Sequence, residues 1–580
     1  MLIELLLARS PTDSLLHSRL IALDSLTVDI LDALDVQTVD EGNMSDEHRQ
    51  ELPAELIIHV LEHLPPSTIL RLRCVSKQFN ALATSRSLWL SILTRLPPPV
   101  PLPLKDADAA ASLPVDALIR LTHGAYTLAS NFASSLPIPR RTLKLKELHQ
   151  DRVTCVAILP GGRFLFTGSV DGWIRCWDLT TLREVKHSQP VNAGNIGRVA
   201  QMNMEVDVSA LEVQWEGGGA HSGAAIVVVG SYYSVESCRV FRILLPSPGH
   251  DYVLPHVPAP RFTRSSFFPL GSLVQNWCGT QSVALEGDIV AVGGHLSPIQ
   301  VLNWRTGIQS VLQVPEGDRR SVAVIKILPP WLVSVTRLGQ VELFRLPQCI
   351  LADDPADVTS DAAGTLIASH ALPLPNGPVT SVSISSQYLY PSAPGAPRRY
   401  HPLTLLVQQR PQSSLFKIEP LPTHPDPELE FPYTFPPTAI ATHPHPPTQL
   451  PESASLAASG LRCASTSSIR DFMPFNRLLL WSPSPPPLPV LGAPAPAQTA
   501  AASSSDPSSQ PQPQPPCPSP AITRCELALA PRTVKDDIRD PESVWMWEES
   551  KDLYAEVALE EELGRVVVGT ARGGCWVFDF

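Results

Sequence analysis

The sequence predicts a multidomain chain: a small all-α module near the N-terminus, a helical linker, and a long all-β repeat region reaching the last residue. Three observations carry this reading. Apolar residues recur at helical spacing between Leu52 and Leu93. A second helical stripe runs through Leu118, Leu121, Ala125, Leu128 and Phe132. From Arg141 onward, short β-type runs alternate with turns rich in Gly, Asp and Ser.

The first module, placed at 51–96, reads ELPAELIIHVLEHLPPSTILRLRCVSKQFNALATSRSLWLSIL from Glu51 to Leu93. Pro53 suits a first helical turn, where its missing N–H costs nothing. Leu56, Ile57, Val60, Leu61 and Leu64 then give one wide apolar face. Pro65-Pro66 stops that helix, and Ser67 is the expected N-cap of the next, which carries Ile69, Leu70 and Leu72. A third run holds Val75, Phe79 and Leu82, and Leu88, Trp89, Ile92 and Leu93 close the module. Helices this short are marginal alone, and a unit of roughly 45 residues buries little surface. So much apolar surface calls for a partner; the plainer reading is three core helices of a larger domain.

The order and spacing of these residues resembles an F-box, the helical module that docks a substrate receptor onto the Skp-type adaptor of a cullin-RING ubiquitin ligase. The resemblance implies an adaptor-binding set at Leu52, Pro53, Leu56, Leu61, Leu64, Leu70, Val75 and Trp89. It implies a cullin as an indirect partner.

Composition narrows the classes. Net charge is −12, and the 44 Lys and Arg residues are scattered, which argues against a general nucleic-acid binder. No run of 18 apolar residues exists, so no membrane span is expected. The opening MLIELLLARSPTDSLL has Glu4 inside its apolar run and no basic residue before it, unlike a signal peptide. The ten cysteines form no C-x-x-C pair and several fall in predicted strands, as small buried thiols do. The expectation is an intracellular, reducing compartment, cytoplasm and/or nucleus.

Residues 1–50 hold leucine-rich patches, including Ile21, Leu23, Leu26, Val28, Ile30 and Leu31. Two readings stay open: a docking or dimerising element, or an extension ahead of a start at Met44. Residues 97–140 form the linker, with a helix expected at about 115–134.

In the β region, Val153–Leu179 (VTCVAILPGGRFLFTGSVDGWIRCWDL) is the clearest unit: strand, Gly turn, strand ending Thr167-Gly168-Ser169, Asp171-Gly172 turn, then a strand ending Trp177-Asp178. It resembles one WD repeat. The resemblance implies structural roles for Asp171, Trp177 and Asp178, and for His149 as the histidine of a buried polar network, although Leu148 replaces the usual preceding Gly. One such unit cannot bury its own faces, so copies must stack beside it. Weaker copies lie at 224–244, 288–304, 331–346, 403–418, 455–481 and 565–580, with Leu296, Arg337 and Arg572 near the turn position. The expected fold is therefore an all-β propeller of about seven divergent WD-like blades over 141–580.

Two Pro-rich inserts, 420–452 and 483–521, lack apolar periodicity and are expected to be disordered. The last unit supplies only three strands, and Thr142–Leu148 is the candidate for its missing outer strand, closing the ring and removing a sheet edge.

No phosphate-binding, dinucleotide-binding, serine-hydrolase or zinc-protease motif occurs, and His443 and His445 stand in a Pro-rich run as solvated linker residues. No catalytic residue, metal site or cofactor is expected. In propellers that read phosphorylated segments, arginines stand where this best repeat has Thr154 and Val170, so that role does not carry over. The expected function is substrate recognition, with the propeller holding a protein substrate of unknown identity. The alternative is an adaptor-binding scaffold acting outside proteolysis.

Overall fold

The computed structural model describes residues 53–95, 113–133, 139–145, 148–180, 198–216, 224–231, 238–245, 262–268, 280–295, 297–313, 321–352, 364–375, 379–385, 402–409, 412–421, 431–444, 449–456, 463–469, 477–483, 522–528, 554–560, 564–570 and 572–580. The chain divides into two compact units, Met1–Leu64 and Pro65–Phe580.

Within the first unit, helix α1 spans Ala54–Leu61. Pro53 is its N-cap, extended at ψ 137, and its carbonyl accepts from the amides of Leu56 and Ile57. A residue without an N–H is therefore placed where none is needed.

The second unit opens with α2 (Pro66–Leu72), α3 (Lys77–Ala83) and α4 (Arg86–Arg95). The expected Ser67 cap is not used. Pro65 is the N-cap of α2 and Pro66 starts the helix, because the proline ring already holds the required φ. The serine that does cap is Ser76, whose Oγ accepts from Phe79 N at 3.1 Å to start α3. Helix α5 (Val115–Ala133) packs against α4, and Arg86 at the head of α4 donates to Leu113 O at 2.6 Å. The buried face of α5 comprises Leu118, Ile119, Thr122, Ala125 and Leu128; the side chain of Phe132 lies outside the described set.

The β region builds seven four-stranded blades among the described residues. Blade 1 is β2 (Val153–Ile158), β3 (Phe164–Ser169), β4 (Trp173–Asp178) and β5 (Arg198–Asn203). Blade 2 is β6 (Ala210–Trp215), β7 (Ala224–Gly230), β8 (Cys238–Leu244) and β9 (Phe262–Phe268). Blade 3 is β10 (Thr280–Glu286), β11 (Ile289–Gly294), β12 (Gln300–Asn303) and β13 (Gln309–Gln313). Blade 4 is β14 (Val322–Leu328), β15 (Trp331–Thr336), β16 (Gln340–Arg345) and β17 (Gly364–Ala371). Blade 5 is β18 (Val379–Ile384), β19 (Leu403–Gln409), β20 (Gln412–Ile418) and β21 (Thr438–Pro444). Blade 6 is β22 (Gln449–Leu456), β23 (Cys463–Ile469), β24 (Arg477–Pro483) and β25 (Ile522–Ala528).

Blade 7 is assembled from both ends of the region. Strands β26 (Tyr554–Glu560), β27 (Arg565–Thr570) and β28 (Cys575–Asp579) are completed by β1 (Arg141–Leu145), which pairs antiparallel with β28 from Arg141↔Asp579 to Leu145↔Cys575. The expected sealing strand is present, shifted by one residue at its start and ending earlier, at Leu145.

Ring closure follows from the innermost strands. β2, β6, β10, β14, β18, β22 and β26 each lie against the next, and β26 returns to β2. Apolar clusters fill the seams between blades. One joins Phe164, Phe166 and Cys176 of blade 1 to Val213, Trp215 and Val227 of blade 2. Another joins Trp177 and Leu165 of blade 1 to Val567, Val577 and Leu143 of blade 7. The second strand of blades 1 to 5 and of blade 7 is buried along its whole length, as a strand covered on both faces must be.

Blades 3 and 4 are further joined by a short parallel pairing of β13 with β17, at Leu312↔Gly364 and Gln313↔Thr365. A Cβ on Gly364 would collide with Leu312, so glycine permits this approach. A one-turn helix α6 (Gln348–Leu351) buries Cys349 and Ile350 in the same seam, and Asn303 Nδ2 donates to Ile350 O at 3.1 Å.

The Pro-rich reading of 420–452 needs correction. Thr438–Pro444 is the outer strand of blade 5, paired with Gln412–Ile418, and Gln449–Leu456 is the inner strand of blade 6. His443 thus stands in a strand opposite Ser413 rather than in a linker. An outer strand pairs along one edge only, so it tolerates proline where a central strand does not. His445, residues 1–50, Leu52 and residues 484–521 lie outside the described residues.

Candidate functional site

The first candidate surface is the N-terminal helical module. Pro53 is exposed, Leu56 is 54% exposed and Val60, one helical turn further along α1, is 41% exposed. Leu64 and Leu70 are half-buried, and Val75, in the turn after α2, is 64% exposed. Bare aliphatic side chains of this size at three positions in a short module are unusual unless a partner covers them.

Two members of the expected contact set are core residues instead. Leu61 is 1% exposed and Trp89 is fully buried, with its indole N–H donating to Ala83 O at 2.7 Å. Both point inward because a module this small must spend its largest apolar groups on its own packing. Val60 was missed as a surface residue; its position four residues after Leu56 is the signal that finds it.

The second feature is the polar network of blade 1. His149 Nδ1 lies 3.2 Å from Asp171 Oδ1, and His149 Nε2 lies 2.8 Å from Thr167 Oγ1. Trp177 Nε1 donates to Thr167 Oγ1 at 3.1 Å. Asp171 also accepts from Gln150 N at 2.9 Å and Trp173 N at 3.0 Å.

Burial holds the His149 imidazole below its ordinary pKa of 6.5, against the pull of Asp171 and with Arg175 adding to the effect. A neutral ring gives one consistent direction of donation. Trp177 donates to Thr167, Thr167 donates to Nε2, and Nδ1–H donates to Asp171. Burial works to raise the Asp171 pKa. The hydrogen bonds from His149, Trp173 N and Gln150 N outweigh it and keep the carboxyl well below the usual carboxylate range.

The structure brings His149, Asp171 and Trp177 together through Thr167, which sequence reading did not single out. Asp178 belongs elsewhere. It pairs with Arg163 (Nη2–Oδ2 3.1 Å) at the opposite end of β4 and accepts from Thr180 N at 2.9 Å. Blade 4 differs: at the matching register, Ser334 Oγ donates to the buried Glu342 Oε2 at 3.0 Å.

The turn tips of blades 1, 4 and 7 carry Val170, Arg337, Leu338 and Arg572, all exposed. Arg239 is drawn into the structure, with Nη1 3.4 Å from Met204 O. Thr154 Oγ1 bonds Val208 O and is part of the blade 1–2 seam. Cys155 and Cys238 are buried, which pushes each thiol up to about 12, far from nucleophilic use. Among the described residues no group of three or more His, Cys, Asp or Glu is placed to hold a metal ion. No described helix is long and apolar enough to cross a membrane.

Residues 50–95 match the family described as F-box-like, and residues 140–178 match the WD domain, G-beta repeat. An F-box protein of Arabidopsis thaliana is 30% identical over 118 residues, covering 19% of this chain and 52% of its own length. The ribosome biogenesis protein ERB1 of Candida glabrata is 31% identical over 115 residues, covering 20% of this chain and 12% of its own. The chain thus spans about half, or less, of the relatives it matches. The β-propeller domain of Cps50 (Swd1) from Myceliophteria thermophila aligns with a TM-score of 0.42 at 13% identity, covering 76% of this chain and 99% of that domain.

Fold and site together define a small helical module followed in the chain by a closed β-propeller. More particularly, the chain carries an F-box-like module at 50–95 followed by a propeller whose first blade is a WD repeat.

Proposed function

We propose that this chain is a non-catalytic substrate-recognition subunit of an SCF-type ubiquitin ligase. Its F-box-like module binds a Skp-type adaptor, and through it a cullin, while the propeller binds a protein to be ubiquitylated. The observation that carries the reading is the exposure of Leu56, Val60 and Val75 within the F-box-like residues 50–95. Leu52, Pro53, Leu64 and Leu70 belong to the adaptor-binding set that the F-box resemblance implies. The propeller supplies a closed ring with exposed turn tips as candidate contacts for a partner, and ubiquitin transfer chemistry falls to other subunits.

The test is co-purification with the adaptor. Truncating a central apolar anchor of an interface costs upwards of about 2 kcal/mol. A Leu56→Asp/Val75→Asp variant should therefore lose adaptor and cullin together while keeping the wild-type melting temperature, since both side chains are exposed. Undiminished adaptor recovery from that variant would sink the assignment.

A further inference from the structure

We propose that His59 and His63 together bind a divalent transition metal, zinc in particular, at the C-terminal end of helix α1. The two imidazoles stand four residues apart, a spacing that brings side chains onto one helical face and that recurs in zinc-binding histidine pairs. The backbone keeps a helical path past the last residue of α1. Glu62 N donates to Ile58 O at 2.9 Å, and His63 N donates to Val60 O at 3.1 Å. Both rings are exposed and so are open to an ion from solvent.

The ring centroids lie 5.2 Å apart. Zinc sits about 2.0–2.1 Å from a ligating imidazole nitrogen, hence roughly 3.2 Å from the centre of that ring. Two imidazoles at the tetrahedral angle around one ion therefore have centroids roughly 5 Å apart, close to the separation found here. Glu62 adds charge to the geometry, since its Oε2 lies 3.6 Å from His59 Nδ1. A carboxylate on that side holds the ring proton at Nδ1 and leaves the Nε2 lone pair for an ion. Among the described residues no group of three or more His, Cys, Asp or Glu is placed to hold a metal, so water completes the coordination. With two protein ligands, the site lacks the three-ligand set of a catalytic zinc and serves binding alone. Its effect falls on α1, which is eight residues long and marginal by itself. The pair faces one ion only while the helix is formed, so binding stabilises the helix.

The experiment titrates zinc chloride into the full chain and into its His59→Gln, His63→Gln and His59→Gln/His63→Gln variants by calorimetry. Amide hydrogen exchange of residues 54–63 is followed in each with and without zinc. The full chain should take up an additional equivalent of zinc that the double variant lacks. Each single variant should lose nearly all of that binding, because one imidazole alone cannot chelate. At a free zinc concentration ten times the measured Kd, α1 amides of the full chain should exchange about tenfold more slowly, and those of the variants should not change. Equal zinc uptake by the full chain and the double variant would overturn the site. So would retention of the additional equivalent by either single variant, or α1 exchange in the full chain that ignores zinc. Melting temperatures without zinc show whether the variants are folded; if one is not, the exchange of the full chain decides by itself.

Discussion

Asp171 shows how much one side chain can hold. It caps the turn of blade 1 through Trp173 N, fixes the preceding loop through Gln150 N, and anchors the chain His149–Thr167–Trp177. Hydrogen bonds to a buried charge are worth about 1.5–3 kcal/mol each, and their loss strands the partners. Asp171→Ala should therefore lower unfolding free energy by about 3 kcal/mol, measured by urea denaturation. A change within error would mean that the network is ornamental. Thr167→Val isolates the middle of the relay: it keeps shape but leaves Trp177 N–H and His149 Nε2 without partners.

The same network predicts a pH dependence. His149 has a folded pKa below the ordinary 6.5, so the unfolded chain binds the proton more readily. Its contribution is complete above about 6.5 and is lost as pH falls from there toward the folded pKa. Asp171, also depressed, holds its full contribution above the ordinary 3.8 and loses it as pH falls from there toward its folded pKa. Unfolding free energy measured between about pH 7.5 and 5.5 should decline in the wild type and flatten in His149→Gln. An unchanged slope would assign the effect to other groups.

Legibility at this scale depended on whether a residue announced its environment. His149, Asp171 and Trp177 stand out by type and spacing, whereas Thr167 looks like any strand threonine. Leu61 and Trp89 read as contact residues because pattern gives the apolar face of a helix but not which part of that face the chain keeps for itself.

Among elements, α5 carries the most consequence. Leu128 inserts among Val557, Val566, Val568, Phe578 and Phe580 of blade 7, and α5 also runs along β24 of blade 6. Gly564, at φ +64, gives Leu128 its seat, since a Cβ there would strike the leucine directly. Truncation of a leucine this buried costs about 2–5 kcal/mol. Leu128→Ala should lower the melting temperature of the propeller although the substitution lies outside every strand, and calorimetry of the full chain checks it. Gly564→Val should do the same from the other side.

The sequence stripe through Leu118, Ala125 and Leu128 located this helix but not its receptor, because the receiving surface, β26 to β28, comes about 430 residues later in the chain. The Pro-rich stretch before blade 6 hid a strand for a related reason. Outer strands need little beyond backbone pairing, so Thr438–Pro444 carries little apolar alternation.

At the scale of the whole molecule, stability depends on closure. Seven blades of divergent sequence form one ring because each inner strand meets its neighbour, and the last seam is tied by Arg565. Its guanidinium pairs with Asp579 (Nη2–Oδ2 2.8 Å) in blade 7 and bonds Gly162 O in blade 1. Deleting 141–145 should leave β28 with a bare edge, and bare edges recruit other chains. The deletion mutant should elute as oligomers in size-exclusion chromatography; a stable monomer with unchanged melting would refute the seal. Leu143→Cys with Val577→Cys, directly opposite in the register, should form a disulfide within one chain under oxidising conditions.

Most blades were readable from apolar runs, since the second strand of blades 1 to 5 and of blade 7 is covered on both faces. The extra joint between blades 3 and 4 was not, because Gly364 meets Leu312 through backbone proximity that no local pattern records.

The pairing of β1 with β28 also sets an order in time. Leu145 meets Cys575, about 430 residues later in the chain. At roughly 5–20 residues per second, the ribosome takes roughly 20–90 s to deliver the second partner after the first. Throughout that interval the earliest strand of the ring has no sheet to join. Leu143 and Leu145, buried in the finished molecule, wait in the open beside a growing row of blades. Synthesis of this protein therefore passes through a long period in which its first ring strand has no partner, and that period ends only when residues 575–579 are made.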